Sequence, residues 1–136
     1  LGFIAAQNSL PEETITLARK LFITATKILP KIKSPRAIGF AMTGLYYYLK
    51  EQPNSKLLKE FEKLARYQLA TYNEYASENW HWFENQLTYS NSKLPESLFY
   101  AFDLTKNKNY LEVAKKTLDF FSTLLRFARA ELEISN

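Results

Sequence analysis

Apolar side chains recur at every third or fourth position through almost the whole chain, and this spacing limits the fold more than any other feature. The spacing places apolar residues on one face of an α-helix, whereas alternate residues share a face in a β-strand. It predicts five helices, at about 11–29, 35–50, 55–75, 95–106 and 110–128. We therefore predict an all-α fold, and 136 residues are enough for one domain, 1–136.

Prolines indicate where helices begin and end, and glycines indicate how closely a helix is packed. Pro30 is expected to stop the first helix, because proline cannot continue a helix interior. Ser34 and Pro35 are the residue types favoured at the N-cap and the first position of the second helix. That helix also contains Gly39 and Gly44, and an interior glycine costs about 0.5–1 kcal/mol relative to alanine. We expect it to be an inner helix with close neighbours on several sides.

The helices alternate between amphipathic and almost wholly apolar. The helix at 55–75 has charged residues opposite its apolar stripe, whereas the helix at 95–106 is apolar nearly all round. Aligning Leu58 with Leu111 gives a repeat of about 53 residues, in which an inner and an outer helix form one hairpin. Two copies of a helical hairpin indicate a helical array, and unequal loops favour a toroid of antiparallel hairpins.

Composition and charge exclude several classes of protein. The chain has no cysteine, which excludes disulfides and thiolate metal sites, and no apolar run as long as a membrane span requires. Residues 1–66 carry 11 basic and 5 acidic groups, but these do not form a basic stripe interleaved with aromatic rings. We therefore expect a cytoplasmic protein that binds neither nucleic acid nor a membrane.

The helical period breaks between residues 76 and 93. This predicted loop holds a dense group of aromatic side chains: Trp80, His81, Trp82, Phe83 and Tyr89. Long loops without regular structure are usually functional or disordered, and so many aromatic residues argue against disorder. The loop is therefore the candidate functional segment.

The sequence of this loop resembles a known signature. It reads Trp-His-Trp-Phe-Glu at 80–84, Leu-Thr-Tyr-Ser-Asn at 87–91 and Leu-Pro-Glu-Ser-Leu at 94–98. This is similar to W-x-W-F-E-x-x-L-T-Y-D-N-x-x-L-P-E-A-L in the helical, six-hairpin glycosidase-like domain of bacterial glycosyltransferase-associated proteins. The likeness is close over about 20 residues and looser over most of the chain. Ser90 stands where that family often has aspartate, which removes one carboxylate.

The resemblance implies part of an (α/α)6-like toroid and a glycan site in the region 78–96. In such toroids, loops that lead into inner helices line a central cleft, where aromatic rings and polar side chains bind sugars. The implied substrate-binding residues are Arg36, Trp80, His81, Trp82, Tyr89 and Asn91. Glu84 and Glu96 are the candidate catalytic pair, because glycoside hydrolysis generally requires two carboxyl groups roughly 5–10 Å apart.

Five of these residues also have a structural interpretation. Trp80 and Trp82 are equally consistent with a buried plug between hairpins. Glu96 is suited to capping a helix N-terminus, and Glu84 to hydrogen-bonding the loop backbone. Arg36, at the start of an inner helix, either reaches the cleft or pairs with a neighbouring carboxylate.

Two functions follow from the sequence. The first is the helical domain of a carbohydrate-active protein, which binds an oligosaccharide and works with a glycosyltransferase or glycosidase domain; this piece of a larger toroid is expected to be inactive alone. The second is a non-catalytic helical-repeat scaffold or protein-interaction module. A lone histidine, His81, is a poor metal site, so we expect neither metal nor cofactor. The inner face of an incomplete ring is apolar, which favours a homodimer.

Overall fold

The computed structural model describes the backbone of residues 1–134 and the side chains of residues 1–127 and 129. Over this range it contains six α-helices, one 3-10 helix and no β-strand, which confirms the all-α prediction. The helices are α1 (Gly2–Ala6), α2 (Glu12–Thr26), a 3-10 helix (Leu29–Lys31), α3 (Pro35–Glu51), α4 (Ser55–Tyr75), α5 (Lys93–Thr105) and α6 (Lys108–Ile134). None of the helices in the described range is both long and apolar enough to cross a bilayer. Residues 135 and 136 of the predicted domain lie outside the described residues.

The first predicted helix, 11–29, is too long at its carboxyl end. The helix α2 ends at Thr26, and Pro30 lies within the 3-10 helix that follows. A proline ring clashes with the carbonyl group four residues before it, which here is that of Thr26, so the α-helix ends there. The helix α1 was not predicted, because its five residues are too few to show a helical period.

The other predicted ranges agree more closely with the structure. The bounds of α3, α4 and α5 differ from the prediction by two residues at most, and α6 runs six residues beyond the predicted end at 128. Ser34 caps α3, since its hydroxyl oxygen accepts a hydrogen bond from the backbone N–H of Ala37 at 3.5 Å, with Pro35 at the first position. Local capping chemistry therefore sets the start of this helix.

The helix α3 lies at the centre of the fold, where it contacts α1, α4 and α5. Its buried face carries four large apolar side chains: Ile38, Met42, Leu45 and Leu49. Its glycines permit close approach, because a Cβ at Gly39 would lie 2.9 Å from the carbonyl oxygen of Lys93. Similarly, a Cβ at Gly2 of α1 would lie 2.0 Å from the carbonyl oxygen of Gly44. The predicted inner position of α3 agrees with these contacts.

Two helical hairpins stand side by side in the fold. Three residues, 52–54, join α3 to α4, and two residues, 106–107, join α5 to α6. Connections this short reverse the chain direction, so each pair is an antiparallel hairpin. The helices α3 and α5 also pack on each other, which places the inner helices of the two hairpins in contact.

Candidate functional site

Residues 76–92, which we call the connecting segment, join α4 to α5 without regular secondary structure. This agrees with the predicted loop at 76–93. Contacts with the surrounding helices nevertheless fix both halves of the segment. Buried aromatic rings anchor residues 80–83 to α4 and α6, and a buried arginine of α3 anchors residues 84–91.

Trp82 and Phe83 fasten the first half of the connecting segment into the core. Neither side chain exposes any surface. The ring of Trp82 lies 6.5 and 5.4 Å from the rings of Phe120 and Phe121 of α6, and Phe83 meets Tyr72 of α4 edge to face at 5.7 Å. A ligand has no access to Trp82. Its ring fills the core between the helices as a buried plug and cannot stack on a sugar.

Trp80 and His81 are half-buried beside this plug. Their rings meet Phe120 edge to face, at 5.1 and 5.8 Å between centroids. The indole N–H of Trp80 donates a hydrogen bond to the carbonyl oxygen of Glu84 at 2.6 Å. The Nδ1 atom of His81 is buried without a hydrogen-bond partner. No group of three metal-ligating side chains occurs among the residues that the structure describes.

Arg36 organises the second half of the connecting segment. It lies in the first turn of α3 and is only 5% exposed. Its guanidinium donates to the carboxylate of Glu84, to the carbonyl oxygen of Tyr89 at 2.5 Å and to Oδ1 of Asn91 at 2.9 Å. A planar guanidinium can serve three acceptors in this way, whereas a lysine ammonium cannot match its geometry. The structure thus brings together four of the residues predicted from the sequence.

Tyr89 stands at the front of this cluster with its ring in solvent. It is 68% exposed, and the guanidinium carbon of Arg36 lies 5.1 Å from the ring centroid, within cation–π range. Asn91 closes the turn, since its Oδ1 also accepts a hydrogen bond from the backbone N–H of Thr88 at 3.3 Å. Ser90 lies in the left-handed region, with φ of 48°, which makes the turn tight. The exposed ring is therefore held in place by a buried network.

Glu96 lies apart from the Arg36 cluster, in the first turn of α5. Its carboxylate accepts a hydrogen bond from the hydroxyl of Tyr100 at 2.7 Å and pairs with Lys93 at 2.5 Å. The carboxylate of Glu84 pairs instead with Arg36. The two predicted catalytic carboxylates thus belong to separate ion pairs on different elements, and each pair has an evident structural role.

Two stacked tyrosines on α3 and α5 were not among the residues predicted from the sequence. Tyr46 of α3 lies parallel to Tyr100 of α5, with 4.1 Å between ring centroids and 15° between planes. The hydroxyl of Tyr46 donates to Asp103 at 2.9 Å. Burial, together with this hydrogen bond, raises the pKa of Tyr46 to about 12, and burial also raises the pKa of Tyr100. The run of three tyrosines at 46–48 was the signal in the sequence.

The site presents one aromatic ring and one amide group at its surface. The ring of Tyr89 offers a face for stacking, and the amide group of Asn91 offers hydrogen-bond donors, because its oxygen is already engaged by Arg36. Both lie where α3 and α5 begin. The chain matches no protein-family model, no curated protein and no solved structure.

Proposed function

We propose that this chain is the helical domain of a carbohydrate-active protein and that it binds a glycan at Tyr89 and its neighbours in the connecting segment. The observation that carries the proposal is the exposed Tyr89 ring held by the buried Arg36. Aromatic rings stack against the C–H faces of sugars, and a ring that is fixed before binding loses little conformational freedom on binding.

The polar partners of the glycan lie beside this ring. Asn91 is half-buried, its oxygen accepts from Arg36, and its amide N–H groups can donate to a sugar hydroxyl. Trp80 is half-buried in the same segment and adds an aromatic edge. Glu84 contributes indirectly, because its carboxylate holds the guanidinium that holds Tyr89. Trp82 has no part in the proposed surface, since it is completely buried.

The proposal includes the ring architecture and a larger protein. Two adjacent hairpins with inner helices in contact are the arrangement expected of a section of an (α/α)6-like toroid. Arg36 lies in the first turn of α3, and residues 89–91 directly precede α5, so the glycan site lies at the amino ends of both inner helices. In this proposal catalysis belongs to a partner glycosyltransferase or glycosidase domain, and Glu84 and Glu96 position other groups.

Oligosaccharide titration tests the proposal. Disaccharides and hexasaccharides built on mannose, glucose and galactose are titrated into the wild-type chain, and binding is followed by tryptophan fluorescence and calorimetry. The Tyr89→Ala variant is expected to bind at least about tenfold more weakly, because it loses the stacking face. The matched control is Tyr75→Ala, which removes an exposed tyrosine at the end of α4 and is expected to bind like the wild type. A flat response to the whole panel would contradict the proposal.

The alternative function, a helical-repeat scaffold that binds protein, is favoured by a different surface. The helix α2 exposes Leu17, Leu21 and Ile23, and α1 exposes Phe3 and Ile4. Exposed apolar side chains on two helices that pack together are typical of protein interfaces, and they also agree with the expected homodimer. Sedimentation over a range of concentrations tests this function, with Leu17→Glu as the disrupting variant. Concentration-independent monomer would exclude self-association through this surface.

A further inference from the structure

We propose that the aromatic surface between α3 and α5 is a second saccharide subsite, which takes the distal units of a neutral oligosaccharide bound at Tyr89. This inference rests on the proposed function, since it extends the same glycan site. The surface is formed by Tyr46, Tyr47 and Tyr100, which we call the tyrosine band. The contacts that define this surface lie on α3 and α5 and involve no residue of the connecting segment.

The rings of the tyrosine band form one continuous surface. Tyr46 and Tyr100 are stacked at 4.1 Å, and Tyr47 lies edge-on to both, at 5.5 and 6.0 Å between centroids. Phe3 of α1 extends the surface, with its ring 5.6 Å from that of Tyr47. Tyr47 is 39% exposed and Phe3 is 56% exposed, so the outer part of the band is open to a ligand.

The band lies on the same side of α3 as the Tyr89 site. Arg36, Phe40 and Tyr47 follow helical spacings of four and seven residues, which place them on one face. Eleven residues separate Arg36 from Tyr47, a rise of about 16 Å along the helix axis. Phe40 lies between them and is 50% exposed. A disaccharide is too short to reach both sites, whereas a hexasaccharide can.

The charged groups around the band largely neutralise one another. Lys93 pairs with Glu96 at one end of the band. At the other end Lys50 and Lys106 pair with Asp103, at 3.2 and 2.9 Å. The charges of the three ammonium groups and the two carboxylates nearly cancel, so the electrostatic attraction for a polyanion such as a nucleic acid is weak. Aromatic faces framed by paired charges suit a ligand that presents hydroxyl groups and C–H faces.

The hydroxyl groups of the band are neutral and oriented. Tyr46 donates to Asp103 and Tyr100 donates to Glu96, at 2.9 and 2.7 Å. Both hydroxyls are the donors of these hydrogen bonds, and burial raises the pKa of both tyrosines above the ordinary value of 10. The oxygen of Tyr46 retains lone pairs that can accept a hydrogen bond from a sugar hydroxyl, whereas the hydroxyl of Tyr100 is also hydrogen-bonded to Tyr47.

Chain-length dependence tests the subsite and separates it from the site at Tyr89. Calorimetry compares the disaccharide and the hexasaccharide of each sugar series on the full chain. Tyr47→Ala is expected to weaken hexasaccharide binding about three- to tenfold and to leave disaccharide binding unchanged. Phe40→Ala is a second variant with the same expected pattern, and Tyr75→Ala is the control, expected to change neither. Tyr89→Ala is expected to weaken binding of both lengths.

The outcomes are distinguishable. If Tyr47→Ala and Phe40→Ala bind the hexasaccharide as tightly as the wild type while Tyr89→Ala does not, the subsite is overturned and the proposed function stands. If only Tyr47→Ala and Phe40→Ala weaken hexasaccharide binding, the subsite stands and the assignment of Tyr89 fails. If no oligosaccharide of either length binds to the wild-type chain, both are overturned.

Discussion

The side chains of Arg36 and Glu84 form an ion pair that joins the first turn of α3 to the connecting segment, 48 positions later in the sequence. The side chain of Arg36 is 6% exposed and that of Glu84 is 24% exposed. The carbonyl oxygen of Tyr89 and the side chain of Asn91 share the same guanidinium. The pair therefore determines the position of the exposed Tyr89 ring.

Replacing Arg36 by alanine is expected to lower the free energy of unfolding by about 3 kcal/mol, the lower end of the range for breaking a buried pair. The lower end applies because Glu84 keeps some contact with water. Arg36→Lys is expected to recover only part of the loss, since an ammonium group cannot place donors in one plane. Urea denaturation measures both variants. A loss below about 1 kcal/mol for Arg36→Ala would show that the network is not stabilising.

A double-mutant cycle isolates the ion pair within this network. Arg36→Ala, Glu84→Gln and the double variant are unfolded in urea under the same conditions. We expect a coupling free energy of at least about 1 kcal/mol, because residues in one hydrogen-bond network do not contribute additively. Strict additivity would show that the Glu84 carboxylate is independent of Arg36.

The two glycines of α3 are expected to respond to alanine in opposite directions. A Cβ at Gly44 would lie 3.8 Å from Phe22, an ordinary contact, so Gly44→Ala is expected to stabilise the protein by about 0.5–1 kcal/mol through helix propensity. A Cβ at Gly39 would lie 2.9 Å from the backbone of α5, so Gly39→Ala is expected to destabilise it by about 1 kcal/mol or more. Thermal unfolding compares the pair. Equal shifts in Tm would contradict the close packing of α3 on α5.

The stability of the protein is expected to fall at high pH through Tyr46. Burial and the hydrogen bond to Asp103 raise the pKa of Tyr46 from 10.0 to about 12 in the folded state. The folded state thus binds the proton more tightly than the unfolded state, so this contribution is complete below about pH 10 and is lost as the pH rises towards 12. Unfolding at a series of pH values should show a shallower decline over this range for Tyr46→Phe. Identical slopes for the two proteins would contradict the assignment.

Asp103 is expected to make the stability of the protein fall at low pH, the opposite of the effect of Tyr46. Hydrogen bonds from Lys106, Tyr46 and Lys50 lower the pKa of Asp103 below its ordinary value of 3.8. Its contribution is therefore present above about pH 4 and is lost as the pH falls further. Asp103→Asn is the matched variant, and it should remove this part of the acid dependence.

The two tryptophans are expected to differ in stability effect and in accessibility. Trp82→Ala should cost about 3–5 kcal/mol, since a completely buried indole is replaced by a cavity. Trp80→Phe should cost about 1 kcal/mol, the value of its hydrogen bond to Glu84. Acrylamide should quench Trp80 in a Trp82→Phe variant more strongly than Trp82 in a Trp80→Phe variant. The reverse order would contradict the burial of Trp82.

The helix boundaries followed from the sequence where the signals are local. Ser34 and Pro35 start α3 by capping and by a fixed φ, which depend only on neighbouring residues. The end of α2 was predicted at 29 and lies at Thr26, although the clash of the Pro30 ring with the carbonyl group four residues before it is also a local signal. By contrast α1 depends on the contact between Gly2 and Gly44, which no local pattern reveals.

The environment of the site residues could not be read from the sequence, because it depends on distant elements. Trp82 and Tyr89 belong to the same motif, yet Trp82 is completely buried and Tyr89 is 68% exposed. The difference arises because Phe120 and Phe121 of α6 cover the first ring and leave the second uncovered. Glu84 pairs with Arg36 because the connecting segment passes the start of α3, and the sequence alone does not show this.

The exposure of apolar side chains on α2 could not be predicted from the sequence either. A helical period puts Leu21 on the same face of α2 as Ala18 and Phe22, but Leu21 is 47% exposed. Phe22 and Ala18 of the same face are buried. Period identifies an apolar face, whereas the neighbours that cover it are set by the tertiary arrangement.

Amide chemical-shift mapping tests glycan binding at Tyr89 most directly. The isotopically labelled chain is titrated with the mannose-, glucose- and galactose-based hexasaccharides, with Tyr89→Ala and Tyr75→Ala as paired samples. We predict that at least one hexasaccharide shifts the amide signals of residues 88–91, and that Tyr89→Ala removes these shifts while Tyr75→Ala keeps them. The absence of shifts in residues 88–91 with every hexasaccharide, or shifts that persist unchanged in Tyr89→Ala, would contradict the account.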